Sequence, residues 1–230
     1  MTRIEFMQRA PTQGAASQVN LFAAPLLVFS WEEAEYWRDE ICAVVGNRSD
    51  RKRMRARSDL PAWPDRATRM LTAWAAACAS QATAAWRQSE AQPAPKQWRM
   101  DGHAILTTRF QPQPLTDHAA EGWNWSGRYF AMAAEGDAIV FEDIGGGIQT
   151  DNVARRSFRY APSEGELLLW PSWLSYRTEM HDDEQRRLAV AFNFHSAWLE
   201  RPRLAAPRTG FLGGAEKAPP GVDVDVDENL

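Results

Sequence analysis

Arg187 opens the run Leu188, Ala189, Val190, Ala191, Phe192, which is otherwise wholly apolar. A guanidinium does not lose its proton, and burying it without a partner is expensive. Arg187 therefore lies outside the sheet in water, meets an internal Asp or Glu, or receives an anionic ligand. Read as a strand, the run places Arg187, Ala189, Ala191 and Asn193 on one face and Leu188, Val190 and Phe192 on the other. The first set is small or polar, as a cavity wall should be, whereas the second is bulky and should pack outside the cavity. The chemistry this predicts is carboxylate recognition, because a planar fork of parallel donors matches a carboxylate. Arg186 would face the other way, into solvent.

The elements that must position Arg187 follow from periodicity and turn signals. "VNLFAAPLLVFS" reads as a first strand, and Ser30 followed by Glu33 is a capping-box signature for a helix over about 31–45. Pro64 suits a helix start, and Ala67, Met70, Leu71, Trp74, Cys78, Ala82, Ala85 and Trp86 form the apolar face of a long helix over about 64–89. From 97 to 195 the chain changes to short β-type segments: "QWRM", "HAILTTRFQ", "GRYFAMA", "AIVFED", "RSFRYA", "ELLLWP", "WLSYRTE" and "RLAVAFNFH". "DG" at 101–102 and "EGD" at 135–137 mark hairpin turns. Short strands without interleaved helices predict a mainly β sandwich, barrel or jelly roll, with two helices packed on one sheet. The Gly145, Gly146, Gly147 loop is not a phosphate loop, since no helix or Gly-Lys-Ser/Thr follows. Residues 1–19 read as a flexible arm, 20–200 as one domain, and 201–230 as a flexible acidic tail that lacks the spacing of a calcium loop.

Composition narrows the function classes. With 230 residues and 44% hydrophobic content, one large domain with a substantial core is expected. A formal net charge of -4 argues against nucleic-acid binding, and the basic stretch "RSDRKRMRAR" reads as a solvated loop. Cys42 and Cys78 lack zinc-ligand spacing and fall in helical patterns, so buried free thiols are expected. No stretch resembles a signal peptide or a membrane span, so a cytoplasmic setting is expected. Eleven tryptophans suit a big core or an aromatic-lined pocket. Trp123, Trp125, Trp170 and Trp173 would suit the mouth of a pocket for an apolar group or peptide, and would equally suit a core. The two helices offer a surface for pairing between copies.

Three segments together resemble the bacterial and phage 2-oxoglutarate/iron(II) oxygenases of the jelly-roll, double-stranded β-helix fold. "LFAAPLLVF" is similar to that family's opening Leu-Phe-x-Thr-Pro strand. "HAAEGWNWSGRYFAM" is similar to its metal strand, His-x-His-Pro, a spacer, then Ser-Gly-Val-Tyr-Tyr. "EGELLLWPSWLSYRTEMHDDEQRRLAVAFNF" resembles Gly-x-Leu-x-Leu-Phe-Pro-Ser-Trp-Leu-x-His, a charged hairpin, then Glu-Arg-Ile-Ser-Ile-Ala-Phe-Asn. The resemblance implies iron(II) and 2-oxoglutarate as cofactors. It also implies that Arg187 grips the distal carboxylate of 2-oxoglutarate, that Tyr129 helps hold it, and that His118 is a metal ligand.

The metal pattern is incomplete. Non-heme iron oxygenases use a facial set of three ligands, two of them at i and i+2 on one strand. His118 matches the first, but Ala120 stands at i+2 and Tyr176 stands where the distal histidine is expected. Asp117 should point away from His118, His181 falls in a hairpin turn, His195 closes the last strand, and His103 lies on a strand of open register. The sequence therefore supports a divergent oxygenase acting on C–H bonds, mostly by hydroxylation, of a small molecule or peptide. It equally supports a decayed pseudoenzyme that binds a ligand or partner. Halogenating members of the superfamily replace the carboxylate with Ala or Gly, which makes a halogenase-like enzyme a minor reading beside metal-independent chemistry on the same fold.

Overall fold

The computed structural model describes residues 16–21, 24–48, 59–86, 95, 97–107, 114–142, 157–179, 185–196 and 222–225. Seven strands form a large antiparallel sheet in the order β1-β2-β7-β4-β9-β3-β10, and three form a small one in the order β6-β5-β8. The large sheet comprises β1 (Ala16–Leu21), β2 (Ala24–Ser30), β3 (Gln97–Thr107), β4 (Trp125–Met132), β7 (Glu166–Pro171), β9 (Arg187–His195) and β10 (Val222–Asp225). The small sheet comprises β5 (Ala138–Glu142), β6 (Ser157–Tyr160) and β8 (Ser175–Glu179). The expected two-sheet, mainly β architecture with helices on one sheet is what the chain forms.

Helices α1 (Ala34–Arg48) and α2 (Arg66–Trp86) cover one face of the large sheet. Ala67, Leu71, Trp74, Ala75, Cys78, Ala79 and Ala82 give α2 a buried stripe at helical spacing. Against it pack Leu27 and Phe29 from β2, Trp98 and Met100 from β3, Trp125 and Tyr129 from β4, Leu167 and Leu169 from β7, and Leu188, Val190, Phe192 and Phe194 from β9. The alternate residues of the same strands face the small sheet. Leu26, Val28, Phe130, Leu168 and Trp170 meet Ile139, Phe141 and Tyr176 in a second core. Gly127 is required by this packing, because a Cβ there would overlap the Leu169 side chain and come within 2.9 Å of the Leu168 carbonyl oxygen. The indole Nε1 of Trp125 donates to Thr83 Oγ1 at 2.9 Å, which ties α2 to β4 with a buried bond.

Several expected boundaries move. "VNLFAAPLLVFS" is two strands rather than one: β1 and β2 pair antiparallel with Leu21 opposite Ala24. The Asp101-Gly102 pair is not a hairpin. β3 runs straight through it because β9 pairs continuously from Arg99–His195 to Thr107–Arg187. Ser30 closes β2 and α1 begins at Ala34, while the Glu33 carboxylate accepts from the Trp37 indole instead of serving a capping box at Ser30. Asp65 supplies the carbonyl that begins α2, and Ala85 and Trp86 are exposed at its end. β1 starts inside the expected arm and β10 lies inside the expected tail, where it extends the sheet beyond β3. The turn at 135–137 is present, with Gly136 at φ 86. It carries the chain from the large sheet to the small one. The glycine triplet, His181 and most of the basic stretch lie outside the described residues. Cys42 and Cys78 are free thiols on α1 and α2. Among the described residues no helix is long and apolar enough to cross a membrane.

Candidate functional site between the sheets

Alternation fixes which side chains enter the space between the sheets. Register pairs Arg128 with Ala191, and Ala191 with His103, across β4, β9 and β3. Parallel rows run Ser126–Asn193–Asp101 and Phe130–Ala189–Ile105. Arg187, Ala189, Ala191 and Asn193 thus share the inner face, as the alternation predicts.

Arg187 is buried there, but its charge is taken. Its Nε donates to Asp137 Oδ2 at 2.6 Å and its Nη1 donates to the Gln185 carbonyl at 2.9 Å. The two side chains are 5% and 9% exposed. Of the alternatives the sequence left open, the internal acid is the one realised. A cosubstrate carboxylate gripped by Arg187, as the resemblance implies, would have to share the guanidinium with Asp137 or displace a buried carboxylate.

Tyr129 is also not where the resemblance implied. It faces the helices, edge-on to Trp31 and Trp74 at 5.8 and 6.0 Å. Its hydroxyl is buried without a hydrogen-bond partner. Burial pushes its phenol far above the usual range, Cys42 and Glu164 add to the rise, and the Arg38 charge opposes it. It cannot reach a ligand between the sheets. Its neighbour Arg128, which sequence reasoning passed over, points inward instead. Arg128 is 4% exposed. Its Nη1 donates to Thr178 Oγ1 on β8, and its guanidinium carbon sits 5.7 Å from the Tyr176 ring centroid.

His118 and Tyr176 are brought together. Backbone bonds in both directions between Thr116 and Tyr176, each 2.9 Å, lay the segment before His118 along β8, and His118 N donates to the Ser172 carbonyl at 2.8 Å. His118 Nδ1 lies 3.2 Å from Glu121 Oε2, and Nε2 lies 3.3 Å from the Tyr176 hydroxyl. An ionised carboxylate only accepts, so Nδ1 carries a proton, and in the neutral ring Nε2 then accepts from the phenol. Glu121 was not foreseen. The only available signal was its place three residues after His118, which the 3-10 turn Ala119–Glu121 converts into contact.

The remaining candidates do not join them. Asp117 and Ala120 are exposed. His195 Nδ1 donates to the Gly122 carbonyl at 2.9 Å. His103 is half-buried on the inner face of β3. Trp125 and Trp170 are core residues on opposite faces of the large sheet. Trp123 is buried with its indole donating to Glu121, and only Trp173 is exposed.

Residues 111–193 match the family described as "Putative 2OG-Fe(II) oxygenase". Over that stretch the chain is similar to the 2OG-Fe(II) oxygenase family. The same fold is found in the non-heme alpha ketoglutarate dependent epimerase SnoN from nogalamycin biosynthesis. The identity is 12%, the TM-score 0.52, and the match covers 80% of this chain and 85% of that one. A second SnoN structure, in complex with Fe3+, alpha ketoglutarate and nogalamycin RO, matches at 12% identity and TM-score 0.50. It covers 93% of this chain and 92% of that one. A Pseudomonas putida prolyl-4-hydroxylase matches at 14% identity and TM-score 0.46, over 74% and 86% of the two chains. No curated protein sequence matches the chain.

The donor set of this chain does not fit the iron that the matched family's description implies. Among the described residues no three His, Cys, Asp or Glu side chains converge. His118 Nε2 faces a phenol rather than a second imidazole, and Glu121 sits on the far side of the ring, where it can orient His118 but not share a metal with Nε2. Tyrosine is a poor substitute for imidazole on iron(II), which favours nitrogen and carboxylate donors.

Proposed function

We propose that this protein, similar to the 2OG-Fe(II) oxygenases over residues 111–193, is a catalytically decayed, ligand-binding jelly roll that holds a small molecule or peptide between its sheets. The observation that carries the reading is the Tyr176 hydroxyl against His118 Nε2, in the place where the family pattern expects a second histidine. The loss at Ala120 and the neutralisation of Arg187 by Asp137 point the same way. What the family chemistry would need is missing from two of three ligand positions, while the two-layer scaffold and its polar inner face are retained.

A second reading is oxidative C–H functionalisation, chiefly hydroxylation, of a small molecule or peptide, with iron(II) and 2-oxoglutarate as cofactors. It is favoured by the Glu121–His118 contact, because a carboxylate on Nδ1 is how metal-binding imidazoles are commonly oriented. A halogenase-like variant is less well supported, since it still requires the histidine that Tyr176 replaces.

One experiment separates the two. Protein purified without a chelating tag is titrated with iron(II) and 2-oxoglutarate under anaerobic conditions, then exposed to oxygen. The proposal expects substoichiometric iron, whatever iron does bind being lost in His118→Ala, and no conversion of 2-oxoglutarate to succinate. Stoichiometric iron that depends on His118, with succinate formed, would establish the oxygenase reading instead.

A further inference from the structure

We propose that the outer edge of β3 is a docking site for an extended peptide in which branched apolar and acidic residues alternate, and that this chain's own C-terminal segment occupies it in cis as β10. Three observations lead there.

The first is the register. β10 pairs antiparallel with β3, with Val222 opposite Met100, Asp223 opposite Arg99, Val224 opposite Trp98 and Asp225 opposite Gln97. Residues directly opposite in an antiparallel ladder share a face of the sheet. The valine positions therefore fall on the helix-covered face, where Trp98 and Met100 are fully buried. The aspartate positions fall on the other face with Arg99, whose guanidinium carbon lies 5.5 Å from the Trp123 ring centroid. Alternation of Val and Asp is thus the pattern this edge selects, because a one-residue slip would set the aspartates against Trp98 and Met100.

The second is that the position is built and bounded. The Trp98 indole donates to Ser80 Oγ at 2.9 Å, and Ser80 Oγ donates to the Pro95 carbonyl at 2.8 Å, so β3 is fastened to α2 where β10 joins it. Beyond Met100 the edge closes. Asp59 forms a parallel bridge with Gly102, and Pro61 Cδ lies 3.2 Å from the place a Cβ on Gly102 would take. A docked strand is therefore confined to the stretch before Gly102, which β10 fills. Left bare, that stretch would present a row of main-chain donors and acceptors to any other extended chain.

The third is the length of the connection. Phe194 on β9 lies opposite Met100, and Met100 opposite Val222, so β9 and β10 are two strand spacings apart, about 10 Å. The 25 positions 197–221 span that gap. A connection so much longer than the gap gives the tail only a moderate advantage over a free peptide, on the order of a 1 mM effective concentration. A peptide of the same pattern can therefore enter the site in competition with the tail.

The test uses the full chain and a free peptide of residues 219–230. In the full-length variant Val222→Asp, Val224→Asp, Val226→Asp the negative charge rises and the branched side chains are lost. A tail held by the alternation should leave the edge, and one held by charge alone should stay. Hydrogen exchange should show residues 97–100 less protected in this variant than in wild type. Fluorescence anisotropy of the labelled peptide should give a dissociation constant of about 0.1 mM on the variant and about 10-fold weaker binding on wild type, whose own tail competes. A peptide carrying the same three substitutions should bind neither protein. Should the variant lose its native circular dichroism, wild type alone decides. Among residues 97–100, the amides turned away from β9 should exchange slowly, and exchange as fast as at an unpaired edge would overturn the occupancy. No binding of the peptide by the variant, or equal binding by both proteins, would overturn the docking site. Protection at 97–100 that grows with protein concentration, with a doubled mass in light scattering, would overturn occupancy in cis and place the tail on a second copy.

Discussion

The Arg187 Nε and the Asp137 Oδ2 lie 2.6 Å apart, both side chains buried, and the pair fastens the start of β9 to the turn that leads into β5. Asp137 also accepts from the Ala134 backbone amide at 3.3 Å, so one carboxylate serves the turn and the guanidinium together. The arginine that looks like a ligand-binding residue in the sequence is a joint between the two sheets.

Removing either partner of that joint should be costly. Asp137→Ala and Arg187→Ala are each expected to destabilise the fold by about 3–5 kcal/mol, because each leaves a buried charge uncompensated. Replacing both together, Arg187→Ala with Asp137→Ala, should cost less than the sum of the single changes. Urea unfolding of the four proteins measures the coupling. Additive losses would show that the pair does not act as a unit.

Tyr129→Phe should leave stability at neutral pH unchanged or raised, because the hydroxyl it removes is buried without a partner. The alkaline limb is the sharper readout. Burial raises the folded-state value of this phenol, so above pH 10 the unfolded chain releases a proton that the folded chain retains. Tyr129 therefore contributes stability fully below the ordinary phenol range and loses it as pH rises toward the folded value. Wild type should lose stability above pH 10 more steeply than Tyr129→Phe, and parallel curves would contradict the assignment.

Thr83→Val should destabilise by about 1–3 kcal/mol, since the buried Trp125 indole would lose its acceptor while the side-chain volume stays nearly constant. Thr83→Ser, which keeps the hydroxyl, should recover most of that loss. Thermal or urea unfolding of the two variants checks it.

The two thiols should differ in reactivity. Burial raises both, Cys78 far more than Cys42, whose half-buried position also feels Asp39. In the folded protein at pH 8 a thiol reagent should modify Cys42 slowly and Cys78 only after denaturant is added. Mass spectrometry of peptides after timed alkylation gives the order directly.

The sequence by itself determined what is local. Helical spacing located α2, turn residues located the break at 135–137, and strict alternation in β9 put Arg187 and the alanines on one face. The two ligand losses at Ala120 and Tyr176 were equally plain, because they are absences at defined spacing from His118 and "PSWL". Tertiary structure alone decided the rest. Arg187 and Asp137 are separated by fifty positions, and nothing in either neighbourhood says that they meet. The phase of β4 could not be read, since Trp125 through Ala131 are all buried, some under helices and some under the small sheet. A strand covered on both faces shows no alternation of polarity. With that signal missing, the resemblance pointed to Tyr129, whereas packing of Trp125, Tyr129 and Ala131 against the helices turned Arg128 inward. The choice of which side chain enters the space between the sheets was made by where the aromatic volume could fit, and that is a property of the assembled layers rather than of any segment.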